Sequence, residues 1–272
     1  MPVSVFGRKY IPAVVGGLDP ATTAWINAVN TTGIGGTVST TQQGRVDTLI
    51  KALKAHSIWP LLDRLWLFAG ESISQQATID IVNLAVGTNH SMTLGASGYA
   101  GNGTSAYFDT AYIPQVTTTT FDTTKGALGV YQIINNTAGS SELIGAQTGG
   151  SACAIWANTT GSNFYDVSGG WNGTFTFSSS QGFWVAYRSD SSHIGLDRYR
   201  SGGVDNFTNS STGLAFNNFS LTVGAYNNQG TIGSWSTDTF AAAFMGNLTS
   251  AQGATLSSDL NAYMTAWGVN VY

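Results

Sequence analysis

Carboxylates are the side chains in this sequence that could cleave a glycosidic bond. A glycosidase needs two of them across a sugar, about 5 to 5.5 Å apart for retention of configuration and farther apart for inversion. The sequence offers two glutamates, Glu71 and Glu142. Pairs such as Asp190 with Asp197 could be assembled in space, but acidic residues in loops and ion pairs are the commoner outcome. The carboxylates alone therefore do not indicate a catalytic pair.

Nucleophilic and metal sites have equally little support. His56 follows a helical pattern, His90 lies in a turn, His193 lies in a polar loop, and no Gly-x-Ser-x-Gly elbow occurs. His-x-x-x-His and Cys-x-x-Cys spacings are absent, and the single Cys153 has small apolar neighbours that favour a buried thiol. We expect no catalytic residue, metal or cofactor; one calcium ion held by aspartates and loop carbonyls is the alternative left open.

Aromatic and polar side chains are concentrated in residues 154–174, AIWANTTGSNFYDVSGGWNGT. Sugar recognition commonly combines an aromatic ring against the apolar face of the sugar with side-chain hydrogen bonds. The candidate carbohydrate-binding residues in this stretch are Trp156, Tyr165, Asp166, Trp171 and Asn172. The alternative is structural: Trp156 would end a strand in the core, and Trp171 would cover the edge of a sheet.

The composition indicates strands and turns as the framework for these residues. Only 9% of the 272 residues are charged and 34 are glycine, which disfavours long solvated helices and favours strands joined by turns. The hydrophobic fraction of 42% is ample for one large core. The formal charge of −4, with no Lys or Arg after Arg200, provides no basic stripe for nucleic acid.

Helical patterns flank the strands at both ends of the chain. Asp19-Pro20 starts one helix, and Thr40 with Gln43 matches a capping box for a second helix that ends near His56. At the other end, Thr249 begins a third helix with an apolar stripe, and Gly268 stands where a helix ends. The apolar LLDRLWLF between the second helix and the remainder reads as a strand.

Short apolar or alternating runs fill residues 76 to 247, separated by Gly, Asn and Ser. These runs are SMTL, AYFDTAYI, GALGVYQII, SELIGA, ACAIWA, FTF, GFWVAYR, HIGLDRYR, FSLTVGAYN and TFAAAFMG. Their spacing predicts a mainly β fold, an antiparallel two-sheet sandwich with an N-terminal helical element and a C-terminal helix. Within residues 97–114, Gly101 and Gly103 favour a turn that leads into a strand, with a glycan-contacting loop as the alternative.

The chain is expected to have three parts: an extended arm over 1–18, a helical element with a lead-in strand over 19–72, and the sandwich with its terminal helix over 73–272. The arm carries Arg8, Lys9 and Tyr10 and is either a strand added to a sheet edge or a tether to a partner. The sequence shows no apolar stretch of secretory or membrane-spanning length, so we expect synthesis in the cytoplasm.

Four stretches of the sequence resemble the concanavalin A-like lectin/glucanase superfamily, in the laminin-G-like form found in phage and prophage virion proteins. They are DRLWLFAGES (63–72), SGYAGNGTSAYFDTAYIP (97–114), LTVGAYNNQGTIGSWSTDTFAAAFMG (221–246), and the helix from LTSAQ to AWG. The resemblance implies a jelly-roll sandwich. The related laminarinase-like hydrolases carry Glu-x-Asp-x-x-Glu on one strand, and this sequence has no such string.

The resemblance therefore implies a virion protein that is not an enzyme, a decoration or fibre component of a phage head or tail. Other virion proteins would bind the arm through Arg8, Lys9 and Tyr10, and host-surface glycans would bind the sandwich. A homo-oligomer is compatible with this picture. Two alternatives stay open: a free-standing carbohydrate-binding protein or glycan hydrolase, and a purely architectural decoration protein whose sandwich binds only its neighbours.

Overall fold

The computed structural model describes residues 17–31, 37–117, 120–134, 142–157, 163–171, 173–175, 177, 180–216 and 219–271. Arg8, Lys9 and Tyr10 of the arm, and Asn172 of the candidate binding stretch, lie outside the described residues. Within the described part, no helix is long and apolar enough to cross a membrane.

Two sheets face each other and form a sandwich. Sheet I has the spatial order β13 (Gly203–Ser210), β12 (His193–Arg200), β11 (Gly182–Arg188), β6 (Gly126–Gln132), β17 (Thr239–Gly246), β4 (Gly98–Ala100) and β3 (Thr93–Gly95), and β1 (Leu62–Leu67) also pairs with β17. Sheet II has the order β10 (Gly173–Phe175), β9 (Asn163–Gly169), β8 (Ser151–Trp156), β7 (Glu142–Thr148), β14 (Thr222–Val223), β5 (Tyr107–Asp109) and β2 (Thr88–His90). The hairpin of β15 (Tyr226–Asn228) and β16 (Thr231–Gly233) joins Sheet II, where β15 runs parallel to β7. The other pairings between the described strands are antiparallel, which confirms the predicted mainly β, two-sheet sandwich.

The space between the sheets is filled by aromatic rings. Phe108 packs against Phe68 with ring centroids 5.0 Å apart and against Trp66 at 5.8 Å, and Trp184 is fully buried in the same core. Edge-to-face pairs of this kind add to the stability gained from the buried area. These rings alternate along their strands with side chains on the opposite face, as the period of two requires.

Helices cover the outer face of Sheet I and create a second core. The helices are α1 (Pro20–Thr31), α2 (Thr40–Ala55) and α4 (Ser250–Ala266), and a one-turn helix α3 (Ser74–Thr78) follows β1. A 3₁₀ turn (Trp59–Leu61) connects α2 to β1. Trp25 of α1, Ile50 of α2 and Leu260 of α4 are fully buried in this second core together with Phe183 and Val185 of β11. The central strands of Sheet I are therefore buried on both faces.

The ends of the helices follow local capping chemistry. Thr249, predicted to begin the third helix, caps α4 and forms a capping box with Gln252. At α2 the predicted cap at Thr40 was wrong by one residue, since Ser39 caps the helix by accepting a hydrogen bond from the backbone N–H of Gln42 at 3.1 Å. Glu71 accepts a hydrogen bond from the Ser39 backbone N–H at 3.0 Å, and this tertiary contact fixes the cap one residue earlier than the local pattern suggests.

The glycine-rich start of residues 97–114 is a tight turn against the segment that connects β16 to β17. A Cβ at Gly101 would overlap the carbonyl oxygen of Ser236, and Gly103 has a φ of +73°. The side-chain oxygen of Asn102 accepts hydrogen bonds from the backbone N–H groups of Ser105 and Ala106, both at 2.9 Å. Close packing and backbone geometry thus account for this stretch without a ligand.

Candidate functional site

A cavity of about 250 Å³ lies on the outer face of Sheet II. Its lining, called here the aromatic pocket, consists of Gln147, Trp156, Phe164, Trp171 and Tyr226. Four of these five side chains are aromatic, and none is charged.

Strand pairing explains why two of the rings meet on this face. Trp156 of β8 lies directly opposite Phe164 of β9, and their neighbours Ile155 and Tyr165 are fully buried in the core between the sheets. Because successive side chains of a strand point to opposite faces, the burial of Ile155 and Tyr165 places Trp156 and Phe164 outside.

Trp171 lies at the centre of the aromatic pocket. Its ring centroid is 5.4 Å from that of Tyr226, 6.2 Å from that of Phe164 and 6.3 Å from that of Trp156. Its backbone has a φ of +61°, a conformation that is rare for a bulky residue and is retained only when surrounding contacts fix it. Here the three rings and one hydrogen bond to Gln147 provide that fixation.

Gln147 orients two of the rings at once. Its side-chain Oε1 accepts a hydrogen bond from Trp171 Nε1 at 2.8 Å and another from the Tyr226 hydroxyl. The Nε2 donors of the same amide group have no hydrogen bond to the part of the chain that the structure describes. They are thus available to a ligand in the aromatic pocket.

A buried carboxyl group lies beside the aromatic pocket. Glu142 is opposite Trp156 in the β7–β8 pair, is fully buried, and neither of its carboxyl oxygens has a hydrogen-bond partner among the described residues. A Cβ at Gly145 would overlap Oε1 of Glu142, so this glycine provides the space for the carboxyl group. Since Gly145 alternates with the core residue Ile144, the carboxyl group lies on the outer face of Sheet II.

Burial sets the protonation states around the aromatic pocket. Loss of solvation raises the pKa of Glu142 well above its usual 4.5, so burial favours the neutral form of its carboxyl group. Burial also raises the pKa of the Tyr226 hydroxyl, and the nearby carboxyl group of Glu142 adds to this effect. Without a ligand, the described lining of the pocket therefore carries no charge at neutral pH.

Two of the residues proposed from the sequence lie away from the surface. Tyr165 is buried against Phe175, with ring centroids 5.8 Å apart, and burial raises the pKa of its hydroxyl to about 12. Asp166 is buried in an ion pair with Arg188, its Oδ1 lying 3.2 Å from Nη2, and accepts a hydrogen bond from Ser211 at 2.8 Å. Both side chains support the interior of the sandwich.

The structure thus brings together Trp156 and Trp171 of the candidate set, and it adds residues that the sequence-based reasoning missed. These are Gln147, Phe164 and Tyr226, with Glu142 beside them. Phe164 could have been found from the sequence. It precedes Tyr165 in the same strand, and consecutive side chains of a strand point to opposite faces. Ligand binding at Trp156 and Trp171 stays a prediction.

Other polar groups of the described chain serve the fold. Asp197 is fully buried and accepts hydrogen bonds from the hydroxyl of Ser250 at 2.6 Å and the side-chain amide of Asn206 at 2.7 Å. Asp190 is exposed and pairs with His193 at 2.9 Å. No group of three or more potential metal-ligating side chains occurs within the described ranges.

Comparisons with known proteins support the architecture. No protein-family model matches the sequence, and a search of curated proteins finds no match. Among solved structures, the chain is similar to a sialidase from Trypanosoma rangeli, with a TM-score of 0.51 and 10% identity over 82% of this chain and 39% of the sialidase. The chain thus spans well under two thirds of the sialidase's length.

Two further solved structures have lower TM-scores. Domains LG4-5 of the mouse laminin α1 chain match at a TM-score of 0.34 and 13% identity, over 60% of this chain and 40% of that one. The enzymatically active domain of tailspike protein 2 from bacteriophage CBA120 matches at 0.36 and 11% identity, over 68% of this chain and 30% of that one.

The sequence-based expectation that the chain is not an enzyme was wrong. It rested on the missing Glu-x-Asp-x-x-Glu string, but sialidases are among the solved chains that share this fold. The absence of that one string therefore does not exclude an enzyme. The comparisons show a β-sandwich fold that this chain shares with part of a sialidase chain.

Proposed function

We propose that the chain is a glycan-binding sandwich protein and that the aromatic pocket is its binding site. The observation that carries the proposal is the cluster of four aromatic side chains around Gln147, whose Nε2 donors have no partner in the described structure. Aromatic rings bind the apolar faces of sugars, and a fixed amide donor orients a hydroxyl group.

The backbone of Trp171 gives independent support. A positive φ at a tryptophan costs free energy, and such strain is concentrated at binding and catalytic sites. A ring that only covered the edge of a sheet could do so from an unstrained backbone.

Binding of the purified protein to a broad glycan array, followed by calorimetry with the best glycan, tests the proposal. Trp171→Ala is expected to weaken binding at least about tenfold, equivalent to about 1.4 kcal/mol. Trp59→Ala is the matched control, because Trp59 is half-buried on the helical side of the molecule and contacts Lys54, 5.3 Å from its ring centroid. A wild-type protein that binds no glycan, or a Trp171 variant that binds as tightly as wild type, would refute the proposal. Product analysis of the same glycans measures turnover.

We further propose that the protein is displayed on a phage virion, on its head or tail, and that residues 1–18 attach it. The support is the resemblance of four sequence stretches, among them residues 97–114, to virion proteins with laminin-G-like domains. Mass spectrometry and immunogold labelling of purified particles test the location. A chain lacking residues 1–18 should keep its circular dichroism spectrum and lose attachment. Absence of the protein from particles, or full attachment without the arm, would contradict this proposal.

A further inference from the structure

The four rings of the aromatic pocket do not form one flat platform. Trp171 is inclined at 69° to Trp156, at 65° to Tyr226 and at 84° to Phe164, and Trp156 is inclined at 56° to Tyr226. Rings at such angles line an open cavity from several directions. A sugar ring that stacks on a single aromatic face does not need this arrangement, whereas a rounded group does.

The lining also offers little to a hydroxyl-rich ligand. Among the described residues of the lining, only Gln147 Nε2 and Trp156 Nε1 are donors without a recorded partner, because the Tyr226 hydroxyl already donates to Gln147 Oε1. Hydroxyl groups that enter such a cavity without partners lose their hydrogen bonds to water, which costs free energy for each group. The group that fills the cavity should therefore have an apolar surface.

Charge identifies the group further. No Lys or Arg belongs to the described lining, so an anionic group would find no counter-ion among these side chains. The carboxyl group of Glu142 lies beside the pocket, buried across the strand pair from Trp156 and without a hydrogen-bond partner in the described chain. A cation in the pocket would favour the ionised form of this carboxyl group and would be attracted by the faces of the aromatic rings.

We propose that the aromatic pocket binds a quaternary ammonium group, such as the trimethylammonium end of a choline substituent carried on a cell-surface glycan. This inference rests on the proposed function, because a glycan would carry the ammonium group. It adds to that function the chemical group that enters the site. The methyl groups supply the apolar surface, the aromatic rings attract the charge, and Glu142 provides the counter-charge.

Titration with small probes, followed by NMR and calorimetry, tests the chemistry. The probes are choline, tetramethylammonium, and 3,3-dimethylbutanol, a neutral molecule with nearly the same shape as choline; sodium chloride at equal ionic strength is the blank. Choline is expected to bind at least about tenfold more tightly than the neutral analogue. Equal binding of the two, or no binding of choline, would overturn the inference without any substitution in the protein.

Two variants locate the effect. Trp171→Ala should abolish choline binding, and Glu142→Gln should reduce the preference for choline over 3,3-dimethylbutanol by about tenfold while leaving the neutral analogue nearly unchanged. An unchanged preference in Glu142→Gln would remove this carboxyl group from the site and contradict the assignment.

Competition separates the failure of this inference from failure of the proposed function. A choline-substituted polysaccharide and the same polymer without choline are compared, with free choline as competitor. Binding of the substituted polymer alone, released by choline, supports both proposals. Binding of both polymers that choline does not affect overturns the ammonium inference and keeps glycan binding. Binding of choline without either polymer, in a protein that binds no other glycan, overturns glycan binding and keeps the ammonium site.

Discussion

The stability of the ligand-free Glu142→Gln variant, measured relative to wild type, is expected to increase as the pH rises from about 4.5 to neutral. The carboxyl group is fully buried without a partner among the described residues, and its pKa is well above the usual 4.5. The folded protein therefore keeps a proton that the unfolded chain releases above about pH 4.5. As the pH rises, this difference favours the unfolded state of the wild type, and glutamine abolishes it.

The magnitude follows from the single proton involved. Each pH unit above 4.5, up to the raised pKa of the folded state, should lower the unfolding free energy of the wild type by about 1.4 kcal/mol relative to the variant. The amide group of glutamine is also buried without a partner, but this cost does not depend on pH. The slope of the difference against pH therefore isolates the carboxyl group, whatever its absolute offset.

Urea unfolding followed by tryptophan fluorescence, at several pH values between about 5 and 8, measures this slope. Glu71→Gln is the matched control at the other glutamate of the chain. Its carboxylate accepts hydrogen bonds from the backbone N–H and hydroxyl of Ser39, so its replacement should lower the stability at pH 7. A stability difference between wild type and Glu142→Gln that stays constant over this pH range would refute the reasoning. A difference that falls with pH would show that the carboxylate is stabilised in the folded state.

Three further predictions concern the framework. Burial raises the pKa of the Cys153 thiol, so a thiol reagent at pH 8 should label the protein only after unfolding in urea, and rapid labelling of the folded protein would contradict this. Thr249→Ala removes the cap of α4 and should lower the unfolding free energy by about 1 kcal/mol, measured by urea unfolding; unchanged stability would argue against the cap. Gly129→Ala places a Cβ against the carbonyl oxygen of Trp184 and should destabilise the sandwich by about 3 kcal/mol. Gly44 has open space around it on α2, so the control variant Gly44→Ala should be neutral or stabilising. Equal circular dichroism melting curves for the two variants would contradict this contrast.

The strands of Sheet I that are buried on both faces were the most predictable part of the fold. GFWVAYR, HIGLDRYR and TFAAAFMG coincide with β11, β12 and β17. The first and third of these sequences are nearly continuous apolar runs, which stand out from the surrounding turns. Strand β13 was missed because it lies at the edge of the sheet, where GVDNFTNS alternates between exposed and half-buried positions.

The candidate site was less predictable, for a topological reason. Trp156 and Trp171 are close in sequence, whereas Gln147 and Tyr226 reach the pocket through the parallel pairing of β7 with β15. One sequence cannot reveal that pairing. Tyr165 was included because of its residue type, although the alternation of β9 turns it inward and Phe164 outward.

The position of β17 has a consequence for biosynthesis. This strand lies in the middle of Sheet I, between β6 on one side and β1 and β4 on the other, all of which are translated long before it. Sheet I therefore cannot close until the ribosome has nearly completed the described chain, and the apolar edges of β1 and β6 must wait without their partner. Long-range pairing of this kind slows folding and exposes the nascent chain to aggregation, so the yield of native protein should depend on chaperones and on growth temperature.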